Sequence, residues 1–173
     1  MNRSFWRGLA AAVLLTGCAP TLDWRELRPE GSGLAVLMPC KPDSQARPVS
    51  LASTQVRMQL HACSAGGVTW GVAFADIGDT ARVGAALEEL RASAARNLGG
   101  TETAALPLQI PGATPNPASR RVQVSGRMPD GRAVVEQTAV FAKGTRVFQA
   151  VALGTKLEPE AVATFFGGLR LLP

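Results

Sequence analysis

The chain has 173 residues, 46% of them hydrophobic, which is enough for one domain with a real core. Its 18 Lys and Arg against 13 Asp and Glu give a net charge of +5, but the cations are dispersed and no aromatic–basic cluster accompanies them. That pattern excludes a nucleic-acid partner and leaves only weak attraction to anionic lipid.

The first seven residues, MNRSFWR, carry Arg3 and Arg7 without an acid and lead into the apolar run GLAAAVLLTG. This is the layout of a secretory signal, and the run is too short for a permanent span, which takes about 20 residues. The segment closes on Leu15-Thr16-Gly17-Cys18, which resembles the lipobox of bacterial lipoproteins. The resemblance implies that residues 1–17 form a cleaved signal peptide and that the sulfur of Cys18 receives a diacylglyceryl group, making membrane lipid a partner. The competing reading is a conventional signal with a chance cysteine near its end. Ala19 stands where an aspartate commonly retains such proteins in the inner membrane, so the expected place is the outer membrane, facing the periplasm. Two or more acyl chains anchor a protein stably, where one chain does so only marginally.

Processing leaves 156 of the 173 residues and, without Arg3 and Arg7, 16 cations against 13 acids, a net charge of +3. Residues 18–33, with Pro20, Pro29, Gly31 and Gly33, read as the lipidated N-terminus and a flexible tether. Trp24 has two places open to it, the headgroup layer or the domain, and docking on the domain is preferred. A single α+β domain is expected over residues 34–173.

Its first strand is Leu34 to Met38, apolar throughout and stopped by Pro39. From Gln55 to Cys63 the chain alternates, with Val56, Met58, Leu60 and Ala62 on one face and Arg57, Gln59, His61 and Cys63 on the other. Val68 to Ile77 follows after Ser64-Ala65-Gly66-Gly67, giving an antiparallel hairpin. One face of this strand is bulky, with Val68, Trp70, Val72 and Phe74. The other is small, with Thr69, Gly71, Ala73 and Ala75, and invites close approach by a helix or another backbone.

Two cysteines remain beside Cys18. In an exported chain Cys40 and Cys63 are expected to form a disulfide. A Cys–His nucleophile pair is the alternative, because His61 and Cys63 share a strand face. Cys40, Cys63 and His61 are too few ligands for a structural zinc site, so no metal and no cofactor are expected.

A helix opens with Asp79 as N-cap and ends at Gly99, with Val83, Leu87, Leu90, Ala94 and Leu98 on its buried stripe. Its polar face is mixed in sign, which disfavours a membrane-surface role. Leu106 to Ile110 reads as a short strand, followed by the turn Pro111 to Pro117. Strands at Ser119 to Met128, Arg132 to Lys143 and Arg146 to Leu153 form a meander, joined at Pro129-Asp130-Gly131 and Lys143-Gly144. A second helix opens at Glu158-Pro159-Glu160, buries Ala161, Val162, Phe165 and Phe166, and stops at Gly167-Gly168 before a short closing extension.

This order, with Leu34-Ala35-Val36-Leu37-Met38-Pro39 at the start, Leu108-Gln109-Ile110-Pro111-Gly112 before the meander and Val162 to Leu171 at the end, resembles the PsbP-like superfamily of small secreted and lipid-anchored proteins. The resemblance implies a PsbP-like α/β sandwich, an antiparallel sheet of about six to seven strands packed with two main helices. It implies no shared catalytic residues, and the Cys40–Cys63 pair is not general to that pattern.

Catalytic patterns are wanting. The sole histidine, His61, has no serine nucleophile elbow to serve. Glu88 and Glu89 are neighbours on a helix and point about 100° apart, not into one gap. The glycine pairs lack the lysine of a phosphate cradle. The leading expectation is a non-enzymatic envelope lipoprotein whose domain binds a protein or another cell-envelope component and supports assembly. The alternatives are a periplasm-facing small-ligand carrier with a cleft near Arg57, Gln59 and His61, and a hydrolase or thiol-dependent enzyme using His61 or Cys63.

Overall fold

The computed structural model describes residues 21–173; the expected signal and Cys18 lie outside the described residues. In chain order the elements are Arg25–Leu27 (β1), Leu34–Met38 (β2), Asp43–Leu51 (β3), Thr54–Ala65 (β4), Val68–Asp76 (β5), Val83–Asn97 (α1), Thr101–Leu106 (β6), Arg120–Arg127 (β7), Ala133–Lys143 (β8), Arg146–Gly154 (β9), Pro159–Gly167 (α2) and Arg170–Leu171 (β10). Seven strands make one antiparallel sheet in the order β3-β4-β5-β9-β8-β7-β6, and three make a second in the order β1-β2-β10. The α+β expectation holds in this form, with the three-stranded layer as an addition.

Period-two alternation decides what each face of the large sheet carries. Trp70, Val72 and Phe74 of β5 turn toward Leu34, Val36 and Met38 of β2 and Val162, Phe165 and Phe166 of α2. Trp70 meets Phe165 edge-on at 5.2 Å between ring centroids, and Phe141 stacks on Phe148 at the same separation. Each such ring contributes about 1.5–3 kcal/mol relative to an exposed one. On the opposite face Ala75 and Ile77 meet Val83, Ala86 and Leu87 of α1, while Ala94 of α1 and Leu98, which follows the helix, rest on Val122 and Val124 of β7 and Val134 of β8. All five residues of the expected stripe are buried.

Local chemistry sets the limits of α1. Asp79 caps a short 3₁₀ turn, Thr80–Arg82, by accepting a hydrogen bond of 2.9 Å from the Ala81 amide, and the α-helix proper follows. At the other end Gly99 takes φ +51°, and the amides of Gly99 and Gly100 return to the carbonyls of Arg96 and Ala95. This double bond pattern ends the helix through a left-handed residue. Asp79→Ala is expected to cost about 1 kcal/mol. Urea unfolding should show a lower midpoint at unchanged slope.

Four readings of the chain need correction. Residues 25–33 are not tether, because β1 pairs with β2 and Trp24 sits 6.1 Å from Trp70 between ring centroids. Burial of Trp24 and Leu27 against the core outweighs the loop-like composition around them. The strand expected at Leu106 to Ile110 lies earlier, at β6, because Pro107 and Pro111 withhold ladder donors and 101–106 has β7 to pair with. β3 is an additional strand, largely exposed and containing Pro48, which an edge position tolerates. Finally, the small face of β5 is covered by α1 at Ala75 only, and Gly71 has no helix over it.

Candidate functional site

Arg57, Gln59 and His61 share one face of β4, as their alternation requires, and pair with Pro48, Ala46 and Ser44 of β3. The face is the one toward the α2 layer, where the His61 ring lies parallel to Phe74 at 6.5 Å. Burial lowers the His61 pKa, so the imidazole is held neutral, and its buried Nε2 has no hydrogen-bond partner. These three residues do not line the concavities described below. Cys63 is bonded to Cys40, with Cα atoms 6.0 Å apart. A Cys–His pair therefore has no free thiol here. Glu88 pairs with Arg91 at 2.6 Å, while Glu89 accepts from the Ala52 amide at 2.8 Å and steadies the left-handed turn at Ala52 and Ser53. Both carboxylates are thus engaged in the fold. Among the described residues no three His, Cys, Asp or Glu side chains converge on a metal position.

The structure instead draws together residues from β7, β8, α2 and the proline-rich connection. Arg121 of β7 faces the α2 side, and Ser119 directly precedes the strand. The Arg121 guanidinium stacks over Phe166 at 3.9 Å from the ring centroid. Its Nη2 donates to Gln137 Oε1 at 2.6 Å, and the Gln137 amide donates in turn to Gln123 Oε1 at 3.1 Å. No carboxylate pairs with Arg121 among the described residues, and burial pushes its pKa down. Arg121 Nε and Ser119 Oγ are both buried without a hydrogen-bond partner. A cavity of about 260 Å³ opens beside Arg121 between Phe166 and Ala163 of α2 and the Leu108–Ile110 segment. A second, of about 490 Å³, lies across that segment against Ser119 and Phe141.

On the other face of the large sheet, the part of β4, β5 and β9 that α1 does not reach forms an open apolar trough of about 180 Å³. Leu60, Ala62, Gly71, Val151 and Leu153 line it. Leu60 is 38% exposed, which is unusual for a leucine in a sheet. Gly71 keeps the floor low, because the position of an added Cβ meets only Ala62, His61 and Leu60 atoms at 3.6 Å or more. At the rim stands Glu136, directly opposite Leu153 in the β8–β9 ladder and Val124 in the β7–β8 ladder. Its side chain is buried and its pKa is raised to about 7 by desolvation.

The signal for Arg121 was available in the chain and went unused. In Arg120–Arg127 the valines at 122 and 124 fill one face, which puts Arg121 and Gln123 on the face that the α2 layer covers. Polar residues on a covered strand face call for a reason. Glu136 is a similar case, lying between Val134, Thr138 and Val140 on one face of β8.

Comparison with protein-family models, curated proteins and solved structures finds no match.

Proposed function

We propose that this chain is a bacterial envelope lipoprotein, held in the outer membrane through lipid on Cys18, with a PsbP-like α+β domain that acts by binding. Its binding surface is the trough beside α1, and the bound component is an acyl chain of the surrounding membrane lipid. The observation that carries this reading is the trough itself, an apolar and concave stretch of sheet left open where a helix would otherwise lie. Its position supports the same reading. Thr21 and Leu22 lie against the β4–β5 turn, with Leu22 Cδ2 3.3 Å and Thr21 Cγ2 3.8 Å from a Cβ placed on Gly66. Cys18 is three residues earlier, so it stays within about 10 Å of Thr21. The Thr69 and Leu153 end of the trough lies at that same end of the sheet, where Val68 pairs with Gly154.

Two measurements test the parts separately. Cys18→Ser is expected to abolish labelling by radioactive fatty acid and to release the protein from membranes; continued labelling and retention would refute the anchor. A phospholipid with a photoreactive acyl chain is expected to crosslink to Leu60, Val151 or Leu153 in intact envelopes, and Val151→Glu to suppress this. Crosslinks confined to residues elsewhere would refute the trough.

A further inference from the structure

We infer that the cavity beside Arg121, on the face of the sheet opposite the trough, is a second binding site, and that it takes a small carboxylate with an aliphatic tail. A half-buried guanidinium calls for a counter-charge, or for acceptors on the donors that water does not reach. Arg121 has neither, since its Nη2 is satisfied by Gln137 Oε1, a neutral acceptor, and its Nε is buried with no partner. Stacking on Phe166 fixes the plane of the fork without satisfying its donors.

The rest of the site selects the kind of anion. A carboxylate matches the guanidinium fork with parallel hydrogen bonds, one of them available to the orphaned Nε–H. Phe166, Ala163, Leu108 and Ile110 surround the remaining space and offer an aliphatic tail an apolar lining. The second cavity lies on the other side of Leu108 and Ile110, against Ser119, whose hydroxyl is also buried and unpartnered. A fully polar anion such as inorganic phosphate satisfies the guanidinium but leaves the apolar walls without a partner. A longer-tailed carboxylate uses both.

Hexanoate is the probe, with hexanol and inorganic phosphate beside it, titrated into the purified full-length protein in detergent. Isotope-edited NMR follows the Arg121 Nε–H signal. Hexanoate is expected to bind saturably and to shift that signal downfield as Nε gains an acceptor. Hexanol and phosphate are each expected to bind at least tenfold more weakly. Arg121→Gln should lower hexanoate affinity at least tenfold, and Arg121→Lys should recover only part of it because the fork is lost. Leu108→Ala, which leaves the guanidinium and its stack in place and removes apolar wall from the cavity, guards against an unfolded Arg121 variant and is expected to weaken hexanoate more than acetate. No saturable hexanoate binding, an unmoved Nε–H signal, or equal binding of hexanol would each overturn the proposal. Because the titration needs no membrane and is read at Arg121 Nε–H, its outcome is independent of Cys18, and binding of a probe in the trough leaves that signal unmoved.

Discussion

Glu136→Gln is expected to stabilise the protein at pH 8 by about 3 kcal/mol and to flatten its pH dependence in the acid range. The carboxyl pKa is about 7 in the folded protein, against the 4.5 of an unperturbed glutamate, with burial as the cause. Folded protein therefore holds a proton between these values that the unfolded chain has already lost. Stability then falls as pH rises through this window, because unfolding releases the proton, and the penalty is complete above the folded pKa. A shift of that size amounts to about 3 kcal/mol. Glutamine removes the charge and keeps the shape, so the variant has nothing to lose across the window. Urea unfolding of both proteins at pH 5 and pH 8 provides the check. Equal differences at the two pH values would show that Glu136 ionises in the folded state as freely as in the unfolded one.

The same carboxyl explains part of what the sequence left illegible. Strands whose residues alternate were readable, as with the hairpin strands β4 and β5 and the meander, because burial on a defined face imposes the pattern, and Leu34–Met38 was readable as a short apolar run closed by Pro39. The α1 stripe and the Gly99 stop were readable for the same reason, with helical period and a left-handed stop combined. β3 and β6 were not, since both are edge strands held by ladder hydrogen bonds to β4 and β7 and bury almost nothing. Sequence periodicity reports burial, and an exposed edge has none to report. The Cys40–Cys63 bridge followed from the cysteine count and the expected export. Arg121 and Glu136 were visible as polar residues within strands, but what makes them exceptional is the lack of a charged partner in space among the described residues. That lack depends on where α1 stops and on the path of the Leu108–Ile110 segment, which no single stretch of chain encodes.

Removing the disulfide with Cys40→Ala and Cys63→Ala together is expected to cost about 3 kcal/mol, the chain-entropy value for a closed loop of this size. The two cysteines are separated by 23 in sequence, and both half-buried side chains pack against the core around Trp70. For a domain of this length the loss corresponds to a fall in Tm of about 6–12 °C. Folding itself should survive, because β3 and β4 keep their hydrogen-bonded ladder to β5 and β2 keeps both of its neighbours. The bridge spans two layers: Cys40 follows β2 of the small sheet, and Cys63 lies in β4 near the edge of the large one. Since β2 carries β1, the bond also ties the first described residues after Cys18 to the large sheet. Hydrogen exchange in the double variant is thus expected to rise most at Arg25–Leu27 and Asp23, whose amide donates to the Pro39 carbonyl, and least at β8 and β9. An unchanged Tm would show that the native layers alone hold the loop closed, and uniform exchange would show that the bridge acts on the whole domain, not on its N-terminal segment.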